Sequence, residues 1–566
     1  MRKMALALLL VSALATTAAP LPDGTYTYVI TRPDRTTPIP ASTKDGLIAG
    51  IRNSGVTEFL GIPYAAPPVG KLRWMPPQPV ALWTGFKNTY HFGPTCAQIT
   101  TLGPFAGPAN SNEDCLYLNV FAPNVKANFI PSLKTKLPVL VWIHGGGYVD
   151  GESNDYDASK LARQGKMVVV TINYRLNLFG FLAVPALGGS GNYGLQDMQA
   201  ALHWVHANIA GFGGDAGNVT VGGQSAGAGA AAAMVVSPGA KGLIHRAIFQ
   251  SGGYTPFAKK EIALERGRKF TAAAGCDKAK DVAACLRALP ASKIVALAGT
   301  ASANGPFING PYVDGVVIPQ QTIDAITYGA FNKVPIMIGT THDESNFFNG
   351  IIQYFKPDHA PINEADYRTY LKTTYGGNAG PGGGPPAYAA GTIDAILKHY
   401  PVGKPDGMKP AFANAQDAWD MAHADMLACR NQYISGALSK LVPVYSYQFD
   451  DETAPTYFPK MPGYRSLAYH TSDIQYVFTG YHGGPNGLPT HLTPKQERLS
   501  NHLIAAWANF ARTGNPNGTG DAPWPRWTHD GTAYFIQDDS WNHVQTNPEF
   551  ATQHICGLWQ SILLYR

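Results

Sequence analysis

The sequence predicts an α/β protein built on a large, mostly parallel sheet covered by helices on both faces. Short, near-continuous apolar runs rich in β-branched residues recur along the chain. Helical patterns alternate with them, and glycines close several of the runs. Taken in order, Pro138-Val-Leu-Val-Trp-Ile-His144 is the first strand of the series and ends in glycines. Met167-Val-Val-Val-Thr-Ile-Asn173 is the next. Between Gly194 and Val205 apolar residues fall at helical spacing. Asn218-Val-Thr-Val-Gly222 is a third strand and runs into a Gly/Ala-rich helix from Ala226. Val334-Pro-Ile-Met-Ile-Gly339 and Val442-Pro-Val-Tyr-Ser-Tyr-Gln-Phe449 follow. The stretch Gly376 to Pro386 reads GGNAGPGGGPP and predicts a long loop.

The chain has 566 residues, room for three or four domains at roughly 150 residues each. No linker divides it convincingly, so we read residues 20–566 as one large domain with an insertion or lid at about 345–440. Charged residues make up 14% and the net charge is +5, which excludes a highly charged disordered chain and a polybasic nucleic-acid binder. Residues 1–19 read as a secretory signal peptide. Met1-Arg2-Lys3 is basic, Met4 to Ala15 is apolar, and small residues follow to Ala19. No later stretch has the apolar length of a membrane span. The predicted location is therefore secreted, periplasmic or extracellular, where disulfides persist. Six cysteines allow fifteen pairings in principle. They show no metal-type spacing, and no cofactor is predicted.

The strongest chemical signal is Gly223-Gln224-Ser225-Ala226-Gly227, set between a predicted strand and a predicted helix. A G-x-S-x-G in that context is a nucleophile elbow: small flanks allow a strained serine whose hydroxyl projects from the sheet edge. The helix that follows aims N–H groups and partial positive charge at a developing oxyanion. A second signal lies upstream. His144-Gly145-Gly146-Gly147 closes the first strand, and glycines expose backbone N–H groups without Cβ interference. The pairing implies acyl transfer, with Gly146, Gly147 and Ala226 as the oxyanion hole.

Longer motifs extend these two. Phe212-Gly-Gly-Asp215 followed by Asn218-Val-Thr-Val-Gly-Gly-Gln-Ser-Ala-Gly227 surrounds the serine. Asn112-Glu-Asp-Cys-Leu-Tyr-Leu-Asn119, Phe59-Leu-Gly-Ile-Pro-Tyr64 and Leu72-Arg-Trp74 precede it. Phe510-Ala-Arg-Thr-Gly-Asn-Pro516 and Trp524-Pro525 lie near the end. Together they resemble the type-B carboxylesterase/lipase family, the group that includes cholinesterases, within the α/β-hydrolase fold. The likeness runs from about residue 25 to the end.

The resemblance implies the order serine, acid, histidine. It points to Glu344 in Gly339-Thr-Thr-His-Asp-Glu344 and to His470 in His470-Thr-Ser-Asp-Ile-Gln-Tyr-Val-Phe478. Asp343 and Asp473 are the competing acids. It also implies the bridges Cys96–Cys115, Cys276–Cys285 and Cys429–Cys556, and a structural ion pair between Arg73 and Glu113.

Departures from the family's cholinesterases bear on substrate. The loop 97–114 lacks tryptophan, the best cation–π partner. Gln224 stands where most members carry Glu. By a loose alignment, Asn309 takes the place of an acyl-pocket aromatic. Phe257, Phe307, Phe347 and Phe348 offer pocket walls. The expected substrate is a small, neutral carboxylic ester whose acyl group is larger or more polar than acetyl. Lipase, tannin-type and toxin esters are included. No nucleic-acid partner and no stable membrane span are expected, and the oligomeric state is left open. An amidase or transesterase with the same triad stays open as an alternative. A non-catalytic binding protein on this fold is the reading from a different class, and the intact Ser225, Glu344 and His470 argue against it.

Overall fold

The structure is a computed structural model that describes residues 38–563 apart from 54, 101, 103–106, 125–135, 254, 303–309, 377–387, 404–411, 482, 484–490, 519–522 and 541. The segment read as a leader, Phe307, Asn309 and nearly all of the stretch 376–386 lie outside the described residues.

Among the described residues, thirteen strands join one sheet. They are β1 (Pro38–Ser42), β2 (Leu47–Asn53), β3 (Val56–Pro63), β4 (Phe86–Asn88), β5 (Tyr117–Pro123), β6 (Leu137–Ile143) and β7 (Val168–Ile172). β8 (Gly214–Gln224), β9 (Arg246–Gln250), β10 (Ile336–Thr341), β11 (Val444–Phe449), β12 (Thr532–Gln537) and β13 (His543–Thr546) complete it. The spatial order is β1-β2-β3-β5-β7-β6-β8-β9-β10-β11-β12-β13, with β4 beside β2. From β7 to β12 every neighbouring pair is parallel. The antiparallel pairs β1–β2, β2–β3, β3–β5 and β5–β7 lie at one end, and β12–β13 at the other. This is the large, mostly parallel sheet with flanking helices of an α/β-hydrolase.

The near-continuous apolar character of the central strands has a direct cause. Successive side chains point to opposite faces, and both faces are covered. On β6, Val139, Val141 and Ile143 join one core; Leu140 and Trp142 join another. β7 divides likewise, with Val168, Val170 and Ile172 on one side and Val169 on the other. The first core includes apolar residues of the helices Tyr193–Asn208 and Ala226–Val236. The second includes the helix Pro494–Thr513, whose Trp507 lies 5.7 Å from Trp142, ring centre to ring centre.

The region read as an insertion carries the helices Asn346–Phe355, Glu364–Tyr375, Thr392–His399 and Ala415–Ser439. Disulfides join Cys96 to Cys115, Cys276 to Cys285 and Cys429 to Cys556. The last fastens the helix Ala415–Ser439 to the C-terminal helix Cys556–Leu563 across 127 residues. A loop of that length stabilises the fold by about 4–5 kcal/mol in the chain-entropy account. Arg73 Nε and Nη2 donate to Glu113 at 2.7 and 2.6 Å, with both residues buried. Arg175 grips the fully buried Asp197 the same way, through Nε at 2.8 Å and Nη2 at 2.6 Å. The sequence carried no sign of that second pair.

Candidate active site

Ser225 sits between β8 and the helix Ala226–Val236, with φ 59° and ψ −125°. A non-glycine residue at positive φ is strained, and neighbouring structure must hold it there. Its N–H donates to the Gln250 carbonyl at the end of β9 (2.8 Å), and its own carbonyl accepts from Gly229 N–H (3.0 Å). The glycines on either side are required by close approach. A Cβ on Gly227 would lie 2.0 Å from the Ile143 carbonyl, and one on Gly223 would lie 2.4 Å from the backbone of Gly227. Even alanine at either place would drive the elbow out of the sheet.

The glycine loop after β6 packs directly on this turn. A Cβ on Gly145 would come within 3.2 Å of Ser225 Cβ. The Gly146 carbonyl turns inward and accepts from the N–H groups of Val149 (2.9 Å) and Asp150 (3.1 Å). Gly146 holds φ 100° and Gly147 holds φ 61°. His144 anchors the loop. Its Nδ1 pairs with the Gly145 carbonyl at 2.8 Å, and its ring stacks on Tyr174 at 4.4 Å. Burial pushes its pKa down to about 4, so it is a neutral structural residue.

Two further loops bring in Glu344 and His470. Glu344 follows β10 and is fully buried. One oxygen, Oε1, accepts from Thr341 N–H at 2.9 Å; the other, Oε2, pairs with His470 Nδ1. Burial pushes this carboxyl up, but His470, the Ser251 hydroxyl and the Thr341 amide outweigh it and hold the pKa below the ordinary value. A carboxylate on Nδ1 fixes the tautomer that leaves a lone pair on Nε2. Asp343, the nearest competitor, does other work. Its N–H donates to the Ala468 carbonyl (3.0 Å) and its Oδ2 accepts from Ala468 N–H (3.2 Å), so it clasps the two loops together. Asp473 accepts from Gln250 Nε2 at 2.7 Å. Burial, then the charge of Glu344, pushes its pKa up to about 7.

The pocket residues expected from the sequence divide in the structure. Phe347 and Phe348 stand beside His470, with ring centres 5.8 and 5.3 Å from its ring. Gln224 is buried, and its Nε2 lies 3.1 Å from His470 Nε2. Phe257 is packed into the apolar core, its backbone clamped by the Gln321 side chain at 2.9 and 2.8 Å.

Three neighbours of the site had no signal in the sequence. Ser251 holds φ 49° directly after β9 and faces Glu344. His423, from the helix Ala415–Ser439, pairs through Nδ1 with Ser345 Oγ. Burial pushes the His423 pKa down to about 4. Its ring lies 6.0 Å from Phe348.

A sequence profile described as the Carboxylesterase family matches residues 37–555. The chain belongs to the carboxylesterase family. Para-nitrobenzyl esterase of Bacillus subtilis (strain 168) is 34% identical over 522 residues, covering 90% of this chain and 96% of the relative. Fumonisin B1 esterase of Sphingopyxis macrogoltabida is 34% identical over 511 residues, covering 86% and 84%. Among solved structures, a thermophilic PNB esterase superposes with a TM-score of 0.72 at 30% identity, covering 92% of this chain and all of the other. This carboxylesterase-family chain is thus a carboxylic ester hydrolase, and small-molecule esters are its class of substrate. No helix among the described residues is long and apolar enough to cross a membrane.

Proposed function

We propose that this carboxylesterase works through an acyl-enzyme on Ser225, with His470 as general base and Glu344 as its orienting acid. The observation that carries the reading is the Glu344–His470 pair reaching Gln224, the residue directly before a strained serine on which the glycine loop packs. His470 Nε2 takes the Ser225 proton as the oxygen attacks the ester carbonyl. Glu344 stabilises the imidazolium. The N–H groups of Gly146, Gly147 and Ala226 hold the oxyanion. His470 then protonates the leaving alcohol, and a water activated by the same ring frees the acid.

The substrate is a neutral ester. No tryptophan occurs in the loop 97–114, Gln224 beside the nucleophile is uncharged, and the aromatic rings of Phe347 and Phe348 flank the base. Similarity to a para-nitrobenzyl esterase agrees with an uncharged alcohol side. The mature chain is secreted. The basic, apolar and small-residue order of residues 1–19 and three disulfides support that location.

The test is kcat/KM across p-nitrophenyl esters of increasing acyl length, with acetylthiocholine as the cationic comparison. The neutral esters are expected to lead. Organophosphate labelling and hydrolysis are both expected to disappear in Ser225→Ala; survival of either removes Ser225 as nucleophile.

A further inference from the structure

The lone pair on His470 Nε2 is the atom on which the proposed chemistry turns, and its hydrogen-bond partner is the Gln224 side chain. The Nε2 atoms of the two residues lie 3.1 Å apart. With Nδ1–H given to the Glu344 carboxylate, the neutral ring has a single acceptor left, and the Gln224 N–H donates to it. Both residues are buried, Gln224 at 1% exposure and His470 at 4%, so water does not compete freely for the contact.

An amide offers a donor and an acceptor on one rigid group. Toward the neutral imidazole it presents N–H. Once Ser225 has passed its proton to Nε2, N–H would face N–H, and half a turn of the amide presents Oε1 to the imidazolium instead. A carboxylate at this position could serve only the imidazolium, and an aliphatic group neither form. The amide also adds no charge to a ring that already faces the Glu344 carboxylate, the Asp473 carboxyl on its own loop and the neutral His423 from the helix Ala415–Ser439.

We propose that Gln224 is a positioning residue for His470: an uncharged amide that steadies the ring in both protonation states and offers no anion to a cationic substrate. The inference rests on His470 as the general base. During each turnover Gln224 yields the Nε2 lone pair to the Ser225 hydroxyl and then recaptures the ring through its carbonyl.

The test compares Gln224→Glu and Gln224→Met with the full-length protein, following the His470 ring by NMR across pH and measuring kcat and KM. In Gln224→Glu the ring titration and the acid limb of kcat/KM are expected to move up by about one pH unit or more, tenfold in proton affinity. The ratio of kcat/KM for a choline ester to that for its neutral 3,3-dimethylbutyl counterpart is expected to rise about tenfold, the same electrostatic preference read on substrate. In Gln224→Met, which keeps the volume, kcat is expected to fall about tenfold at unchanged KM, because the amide bears on the ring and not on the bound ester. An unmoved titration in Gln224→Glu, or wild-type kcat in Gln224→Met, overturns the proposal. The Met variant decides alone if the Glu variant does not fold. The NMR titration needs no substrate, so failure of ester hydrolysis counts against the proposed function and leaves the Gln224 result readable.

Discussion

Glu344 and Asp473 are two buried carboxyls that share the field of the His470 ring, and their surroundings drive them in opposite directions. Both feel burial first. Glu344 is held below its ordinary range by the imidazole, the Ser251 hydroxyl and the Thr341 amide. Asp473 accepts from the Gln250 amide at 2.7 Å, but burial and then the Glu344 charge oppose its ionisation, so its pKa rises to about 7. Two carboxyls in one pocket are thus sorted into an ionised partner for His470 and a carboxyl that titrates near neutrality.

The Asp473 carboxyl makes stability depend on pH with a definite sign. Its folded value, about 7, lies above the unfolded value of 3.8, so the folded state binds the extra proton between them. Stability is therefore expected to fall as pH rises from about 4 toward 7. Asp473→Asn keeps an acceptor for Gln250 and removes the titration. Denaturant unfolding at pH 5 and pH 8 is expected to show the variant gaining on wild type by about 1–2 kcal/mol at the higher pH. A gain that is the same at both values, or larger at pH 5, refutes the assignment.

Glu344 and Asp343 are adjacent in sequence but hold different partners, which makes them separable by mutation. Glu344→Gln keeps the shape and loses the charge that fixes the His470 tautomer. Its kcat is expected to fall by about three to four orders of magnitude. Asp343→Asn keeps an acceptor for the Ala468 N–H and leaves the Nδ1 contact in place. Its kcat is expected to fall about tenfold or less, with lower thermal stability. Equal losses of kcat in the two variants would falsify the separation.

Gly146 is expected to tolerate no side chain. Its φ is 100°, and a Cβ would lie 2.0 Å from the Asp150 carbonyl oxygen. Gly146→Ala must therefore re-form the loop that is proposed to hold the oxyanion. A loss of about two to three orders of magnitude in kcat is expected, the usual scale for removing an oxyanion donor. Circular dichroism is expected to remain that of the wild type, because the loop lies outside the sheet pairing. Full activity in this variant removes the loop from the mechanism.

The Arg73–Glu113 pair is expected to reward joint replacement over single replacement. Arg73→Ala leaves the Glu113 charge buried and strips hydrogen bonds from the Arg287 and Leu289 carbonyls. A cost of about 3–5 kcal/mol in denaturant unfolding is expected. Arg73→Met with Glu113→Leu removes both charges and keeps volume, and is expected to cost less than Arg73→Ala alone.

Much of the site was legible in the sequence because its parts are local. The elbow needs small residues within five positions, between a strand and a helix, and the glycine loop needs its glycines in a run. Glu344 and His470 were legible only through resemblance to a family, since neither stands in a local pattern that marks it among the acidic residues and sixteen histidines of the chain. β9 escaped because Arg246-Ala-Ile-Phe-Gln250 is too short to announce itself, although it forms a central parallel strand and its last carbonyl anchors Ser225. The β1–β5 end and β12–β13 are antiparallel edges whose pairing depends on partners, not on a period in their own residues.

By itself, then, the sequence determined a parallel sheet buried on both faces and the turn that strains Ser225. Hydrophobic periodicity and the sizes of neighbouring side chains are local quantities, and they are enough for both. Tertiary structure alone decided what surrounds His470. Its ring meets Glu344 across 126 residues and Gln224 across 246. Asp473 stands close along the chain, but its raised pKa comes from burial and from the Glu344 charge, both supplied by distant residues. Contacts at those separations follow from strand order and loop packing, which no window of the sequence encodes, and they set the charge and hydrogen bonding of the ring.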